Sequence, residues 1–284
     1  MDVTTTIAEC RRLRAKLLAP VGFVPTMGYL HEGHLSLVRE ARARAASVVA
    51  SIFVNPSQFA PSEDLAAYPR DLDRDLGLLE SEGVDLVFHP TVGEMYPEGF
   101  DTWVAVEELT KRLEGESRPT HFRGVATVVA KLFQIVSPQI AVFGQKDVQQ
   151  ALVIRRLIED LAFDVELVVA PTVREPDGLA MSSRNMYLSP DERRAATVLH
   201  RALLLAEERY AGGERSAATM RRAMQKLIAS EPLVEPLYVS IADIGTLEEC
   251  ESIEGKGLVS LAARVGKARL IDNTVLPPGE GLTG

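Results

Sequence analysis

The chain has 284 residues, 46% of them hydrophobic, and a net charge of −9 from 31 basic and 40 acidic side chains. That length suits about two domains, and the acidic balance argues against a surface devoted to nucleic-acid phosphates, so an anionic ligand must be met by a local positive pocket. No apolar run approaches the ~20 residues of a membrane-spanning helix, and two cysteines far apart, Cys10 and Cys250, point to reduced thiols and a cytoplasmic setting, with one disulfide left open.

The opening segment MDVTTTIAECRRLRAKLL breaks its apolar positions with Glu9, Arg11, Arg12 and Arg14, so it lacks a signal peptide's apolar centre. Ile7, Cys10, Leu13 and Leu17 instead mark one face of a helix. Gly22, Phe23 and Val24 form the short apolar run of a buried parallel strand, which Pro25 is expected to end because it has no N–H for a sheet. Gly28 and Gly33 allow a sharp turn, and Leu35, Leu37, Val38 and Ala41 restore helical spacing. VVASIFVNPSQF (48–59) reads as a second strand running into a loop at Asn55 and Pro56, and the polar, proline-bearing stretch 60–70 suits a mobile flap over a site.

Residues 71–83 then predict a helix closed by Gly83, residues 84–90 a strand and residues 102–108 a further strand. Residues 124–136 are apolar nearly all round, as in a helix packed between layers. IAVFGQKD reads as a strand, 147–161 as a helix and 164–171 as a strand. This alternation predicts an α/β fold: a Rossmann-like, mostly parallel sheet with helices on both faces, whose ligands sit at the strands' carboxyl ends. The stretch 173–188 breaks the alternation, so the first domain is placed at 1–172 and a smaller α+β domain at 173–284. In the second, Ser189-Pro190-Asp191-Glu192 is a capping box with proline in the first helical position. Its helix is expected to reach Gly212, followed by a helix over 216–230 and three strands joined by short connections.

Three stretches carry candidate chemistry. LHEGH puts His31 and His34 near the amino end of a helix, where free N–H groups and the helix dipole favour a polyphosphate. The same pair also reads as core histidines bonded to backbone, or as metal ligands, although an H-E-x-x-H zinc site needs one more residue between them. In GQKD, Lys146 offers a phosphate cation and Asp147 a ribose acceptor, against the plainer reading of a surface lysine and a helix-capping aspartate. MSSRN sets two hydroxyls beside the guanidinium of Arg184, which suits phosphate oxygens or simply forms a turn. Their joint occurrence favours phosphate binding, and the chain has no G-x-x-x-x-G-K, G-x-G-x-x-G or G-x-S-x-G.

LHEGH resembles the HIGH signature of the nucleotidyltransferase and class I aminoacyl-tRNA synthetase superfamily, and MSSRN is similar to its KMSKS counterpart. A closer resemblance is to the pantothenate synthetase (pantoate–β-alanine ligase) family. PTMGYLHEGH, FVNPSQF, SRPTHFRGV, FGQKDVQQ and MSSRN occur in that family's order and spacing over essentially the whole chain. Tyr29 and Thr120 depart from its pattern, standing where a smaller residue and a glycine are usual.

The resemblance implies that ATP activates pantoate as an enzyme-bound pantoyl adenylate, which β-alanine then converts to pantothenate. Nucleotidyl transfer to a phosphate and a non-catalytic nucleotide-binding module are the alternatives. It implies phosphate contacts from His31, His34, Lys146, Ser182, Ser183 and Arg184, ribose contacts from Gly144 and Asp147, and a nucleotide border at Pro25, Thr26, Met27, Gly28, Val173 and Met181. It implies pantoate contacts from Gln58 and Gln150 beside an apolar wall of Met27, Phe53, Val128, Val129 and Phe143, and places Arg118 near the site. Magnesium as the ATP counter-ion, with no protein ligand assigned, and a homodimer through the first domain complete the expectation.

Overall fold

Six strands form one parallel sheet, which the computed structural model describes together with the rest of residues 1–59, 65–66, 68–279 and 282. The expected flap lies outside the described residues at 60–64 and 67. In chain order the first part comprises β1 (Asp2–Thr4), α1 (Ile7–Arg14), β2 (Val21–Thr26), α2 (Glu32–Arg44), β3 (Ser47–Ile52), α3 (Leu72–Ser81) and β4 (Leu86–Phe88). The one-turn helices α4 (Val92–Met95) and α5 (Glu114–Ser117) precede α6 (His121–Val136), β5 (Ile140–Gly144), α7 (Val148–Asp160) and β6 (Glu166–Ala170). The strand order β1-β4-β3-β2-β5-β6 reverses direction between β2 and β5. Beyond the carboxyl ends of strands at such a switch point a sheet of this kind leaves a crevice for ligands.

Side chains explain why β2 sits at the centre. Val21, Phe23 and Val24 are fully buried, and at Gly22 a Cβ would lie 3.1–3.2 Å from those of Ala45 and Ala41, so small residues let α2 press onto the strand. Pro25 does not end the strand as expected. It pairs with Ser51 of β3, while the β5 ladder stops at Phe23, so no neighbour on that side needs its missing N–H.

Other expectations are corrected. Residues 102–108 form no strand, because Val104 satisfies its N–H with Thr127 Oγ1 of α6 (3.0 Å) rather than with a ladder. The opening helix stops at Arg14, before Leu17, and Asp2–Thr4 pairs with β4 as a strand. Helix α6 begins at His121 and is buried on nearly all faces; it ends at Ser137 in the left-handed region (φ 47°). Both cysteines are free, and burial pushes the Cys10 thiol up to about 11.

The chain divides into two compact units, residues 1–144 with 149–170, and residues 145–148 with 171–284. The second unit holds α8 (Pro190–Ala196), α9 (Val198–Ala211), α10 (Ala217–Ile228) and an antiparallel sheet of β7 (Val234–Asp243), β8 (Gly257–Val265) and β9 (Ala268–Leu276). Ser189 caps α8, with Glu192 completing the box. The helix expected to reach Gly212 divides at Thr197, whose hydroxyl bonds the Arg194 carbonyl at 2.8 Å. The connection from β7 to β8 is longer than expected and runs over 244–256, fastened to the start of α10 by Ile253 N–H to Arg215 O and Ala217 N–H to Glu251 O. Helices α9 and α10 cover one face of this sheet through Leu199, Leu203, Met220 and Met224, all buried with Val259 and Leu261.

Candidate active site

In the first unit the turn after β2 is built around a buried carboxylate. Thr26 Oγ1 donates to Ser51 O (2.8 Å) and accepts the Gly28 N–H (3.2 Å). Gly28 adopts φ +82°, where a Cβ would also crowd Asp75 Oδ2 and Ile52. Tyr29, at φ 51°, and Leu30 donate their N–H groups to Asp75 of α3 at 2.6 and 2.8 Å. Burial pushes the Asp75 carboxyl above the usual range, and these two bonds oppose the shift. The side chain of the unusual Tyr29 turns outward beneath the Arg74 guanidinium, 5.4 Å from its ring centroid.

That turn delivers His31 to the N-cap of α2 and His34 to its third residue. His34 Nδ1 accepts the His31 N–H at 3.3 Å, and the rings lie 4.1 Å apart. An accepting Nδ1 assigns the proton of a neutral His34 ring to Nε2, and the ring stands at the positive end of a thirteen-residue helix.

Gln58 sits on a second loop. Asn55 Nδ2 donates to Gln58 Oε1 (3.0 Å) and to Gly124 O (3.2 Å), while Asn55 Oδ1 accepts from Ser57 N–H, Ser57 Oγ and Tyr96 Oη. Gln58 Nε2 lies 3.1 Å from Met27 Sδ, and His121 Nδ1 and Arg118 Nη2 bond the Gln58 carbonyl at 2.8 and 3.3 Å. The HFRG stretch therefore holds the loop bearing Gln58. Met27, Gly28 and Phe53 line a cavity of about 290 Å³ with Asp75 and His89, and Val128, Val129 and Phe143 are buried on α6 and β5. Gly144 closes β5, beside β2 in the sheet. Of the adjacent glutamines, Gln149 is structural, bonding the Glu114 N–H and the carbonyls of Leu109 and Arg112; Gln150 is half-buried.

In the second unit, Lys146 and Asp147 lie in a tight turn, with Lys146 Nζ 3.6 Å from Asp147 Oδ1. Val173 and Met181 close a hairpin, Met181 N–H to Val173 O at 3.0 Å, and Ser182 caps the short turn that follows by accepting the Arg184 N–H. Ser183 opens that turn, and the half-buried guanidinium of Arg184 makes no ion pair among the described residues. Asn55, Asp75 and His121 were not singled out from the sequence. Asp75 had one available signal: it stands four residues before Leu79, on the buried face of its helix.

A parallel sheet with a histidine-bearing helix start at its switch point defines an α/β enzyme of the nucleotide-binding class. A family model described as pantoate-beta-alanine ligase matches residues 2–275. A pantothenate synthetase from Roseiflexus sp. (strain RS-1) is 62% identical over 97% of this chain and 99% of its own. The crystal structure of pantothenate synthetase from Thermus thermophilus superposes with a TM-score of 0.92 at 53% identity, over 96% of this chain and 98% of that one. Pantoate-beta-alanine ligase from Francisella tularensis, complexed with beta-gamma ATP and beta-alanine, has a TM-score of 0.81 at 33% identity over 97% of each chain. The chain belongs to the pantoate–β-alanine ligase family, enzymes that join an acid to an amine through a C–N bond.

Proposed function

We propose that His31, His34, Lys146, Ser182, Ser183 and Arg184 meet the ATP phosphates, and that Gly144 and Asp147 hold the ribose. Pro25, Thr26, Met27, Gly28, Val173 and Met181 border the nucleotide. Gln58 and Gln150 hold pantoate against Met27, Phe53, Val128, Val129 and Phe143. The observation that carries this assignment is the start of α2, where one buried carboxylate shapes the turn and two histidine rings lie 4.1 Å apart at the helix's positive end. The ligands of the Francisella relative support ATP and β-alanine as substrates.

The reaction needs no side-chain nucleophile. A pantoate carboxylate oxygen attacks the α-phosphorus of ATP, the bond to pyrophosphate breaks, and a pantoyl adenylate remains bound. The β-alanine amine then attacks the acyl carbon, loses a proton and expels AMP. Protein groups orient the reactants and stabilise the charge that grows on pyrophosphate. Uncharged amides at Gln58 and Gln150 suit the acid because they orient it without neutralising its nucleophilic oxygen. Magnesium enters with the nucleotide in this proposal, held largely by phosphate oxygens and water; among the described residues no group of three or more His, Cys, Asp or Glu forms a metal cage. A homodimer through the first domain rests on the family resemblance, and a cytoplasmic location on the two widely spaced cysteines. Among the described residues no helix is long and apolar enough to cross a membrane.

Pantoate labelled at both carboxylate oxygens tests the chemistry: one label is expected in AMP and one in the amide product. Appearance of the departing label in inorganic phosphate, pyrophosphate or water, with none in AMP, would overturn the adenylate route. For the site, Gln58→Ala is expected to raise the pantoate KM roughly tenfold, about 1.4 kcal/mol for one lost hydrogen bond, with the ATP KM unmoved. An effect on ATP alone would remove Gln58 from the pantoate site.

A further inference from the structure

We propose that Asn273 is a positioning residue for adenylate formation, holding the turn from which Lys146 projects; this deepens the reading of Lys146 above and rests on it. Asn273 lies on β9, is 3% exposed, and donates from Nδ2 to two consecutive carbonyls, Gln145 O and Lys146 O, each at 2.9 Å. One amide nitrogen has two N–H groups, and both go to this turn. Its Oδ1 makes no hydrogen bond among the described residues, so the polar end of the side chain serves the turn and nothing else.

The neighbouring residue has a parallel task. Asp272, 2% exposed, takes both Nη atoms of Arg174 at 2.6 and 3.0 Å and the Asn273 N–H at 2.8 Å. Arg174 also bonds Gly178 O, inside the hairpin that Val173 and Met181 close just ahead of Ser182. Successive residues of a strand point to opposite faces. Adjacent positions of β9 thus secure two different phosphate-binding loops, the lysine turn through Asn273 and the serine–arginine loop through Asp272.

The side-chain chemistry is specific. Aspartate at 273 has the same shape but no donor when ionised, and would set a carboxylate against two carbonyl oxygens. Alanine leaves both carbonyls unpaired. A lysine turn displaced by about 1 Å costs on the order of 10²-fold in rate.

The test is single-turnover formation of pantoyl adenylate by the full-length enzyme carrying Asn273→Asp or Asn273→Ala, each alone and combined with Lys146→Ala. A positioning role predicts a fall of about 10 to 10²-fold in each single variant, an unchanged pantoate KM, and no further loss when either is added to Lys146→Ala. Parent rates in the Asn273 variants overturn the proposal, and so does an equal loss in both backgrounds, which marks a general structural effect. If neither variant folds, Asn273 is a folding residue and the proposal fails. Parent-like adenylation by Lys146→Ala itself instead refutes the reading of Lys146.

Discussion

Replacing Lys146 with alanine is expected to slow pantoyl adenylate formation by about 10²–10³-fold, roughly 3–4 kcal/mol of lost stabilisation, the usual cost of removing one preorganised donor from developing charge. The lysine is suited to that task because its side chain is only 19% exposed and its ammonium is held near Asp147, so little reorganisation precedes the reaction. Single-turnover measurement with enzyme in excess isolates this step from product release. The pantoate KM should stay near that of the parent, since on the proposed assignment the lost group acts on the leaving pyrophosphate. Adenylate formation at the parent rate would take Lys146 out of the mechanism.

Gly124→Ala is expected to damage the proposed pantoate side of the site from a distance. A Cβ at this position would lie 2.4 Å from Ser57 O, 2.5 Å from Ser57 C and 2.7 Å from Gln58 N. All three are backbone atoms, so helix α6 or the loop must move, and the Asn55 bond to Gly124 O moves with it. In an unobstructed helix the same change stabilises by about 1 kcal/mol. Overpacking here reverses the sign, with a predicted loss of about 1–3 kcal/mol and a pantoate KM raised at least as far as by Gln58→Ala. Thermal unfolding and steady-state kinetics report the two effects separately; a stabilised variant with the parent KM would show that the close approach yields at no cost. Gly77, with no atom within 4 Å of its would-be Cβ, is the matched control.

The fold was legible where a segment's own pattern determines its partner. Val21–Val24, Val48–Ile52 and Ile140–Phe143 are apolar on both faces, as strands covered on both sides must be, and the helices between them keep a 3.6-residue spacing. The pattern misled where a side chain replaced a ladder. Trp103, Val104 and Val106 look like a strand, yet Thr127 supplies the backbone partner. Strand β1 was too short to carry a period.

The site divides in the same way. His31, His34, Lys146 and Ser182 stand in contiguous motifs, so they can be proposed by reading along the chain. The residues that aim them could not: Asp75 reaches back forty-five positions to Leu30, and Asn273 reaches one hundred and twenty-seven to Lys146. Asp75 offers only its place four residues before Leu79 and Asn273 no local spacing at all, because each role is set by contact.

The Asn55–Gln58 pair fixes the electrical sense of one recognition point. Gly124 O can only accept and Ser57 N–H can only donate, so Asn55 has one permitted orientation, and through it Gln58 must turn its oxygen inward. Reversing the Gln58 amide would set two NH₂ groups against each other. On the proposed assignment, the acid meets a one-way contact that welcomes lone pairs and refuses protons. A molecule of the same outline with an ammonium in place of the oxygen is rejected there by the wiring of the loop, before size or apolar fit is consulted.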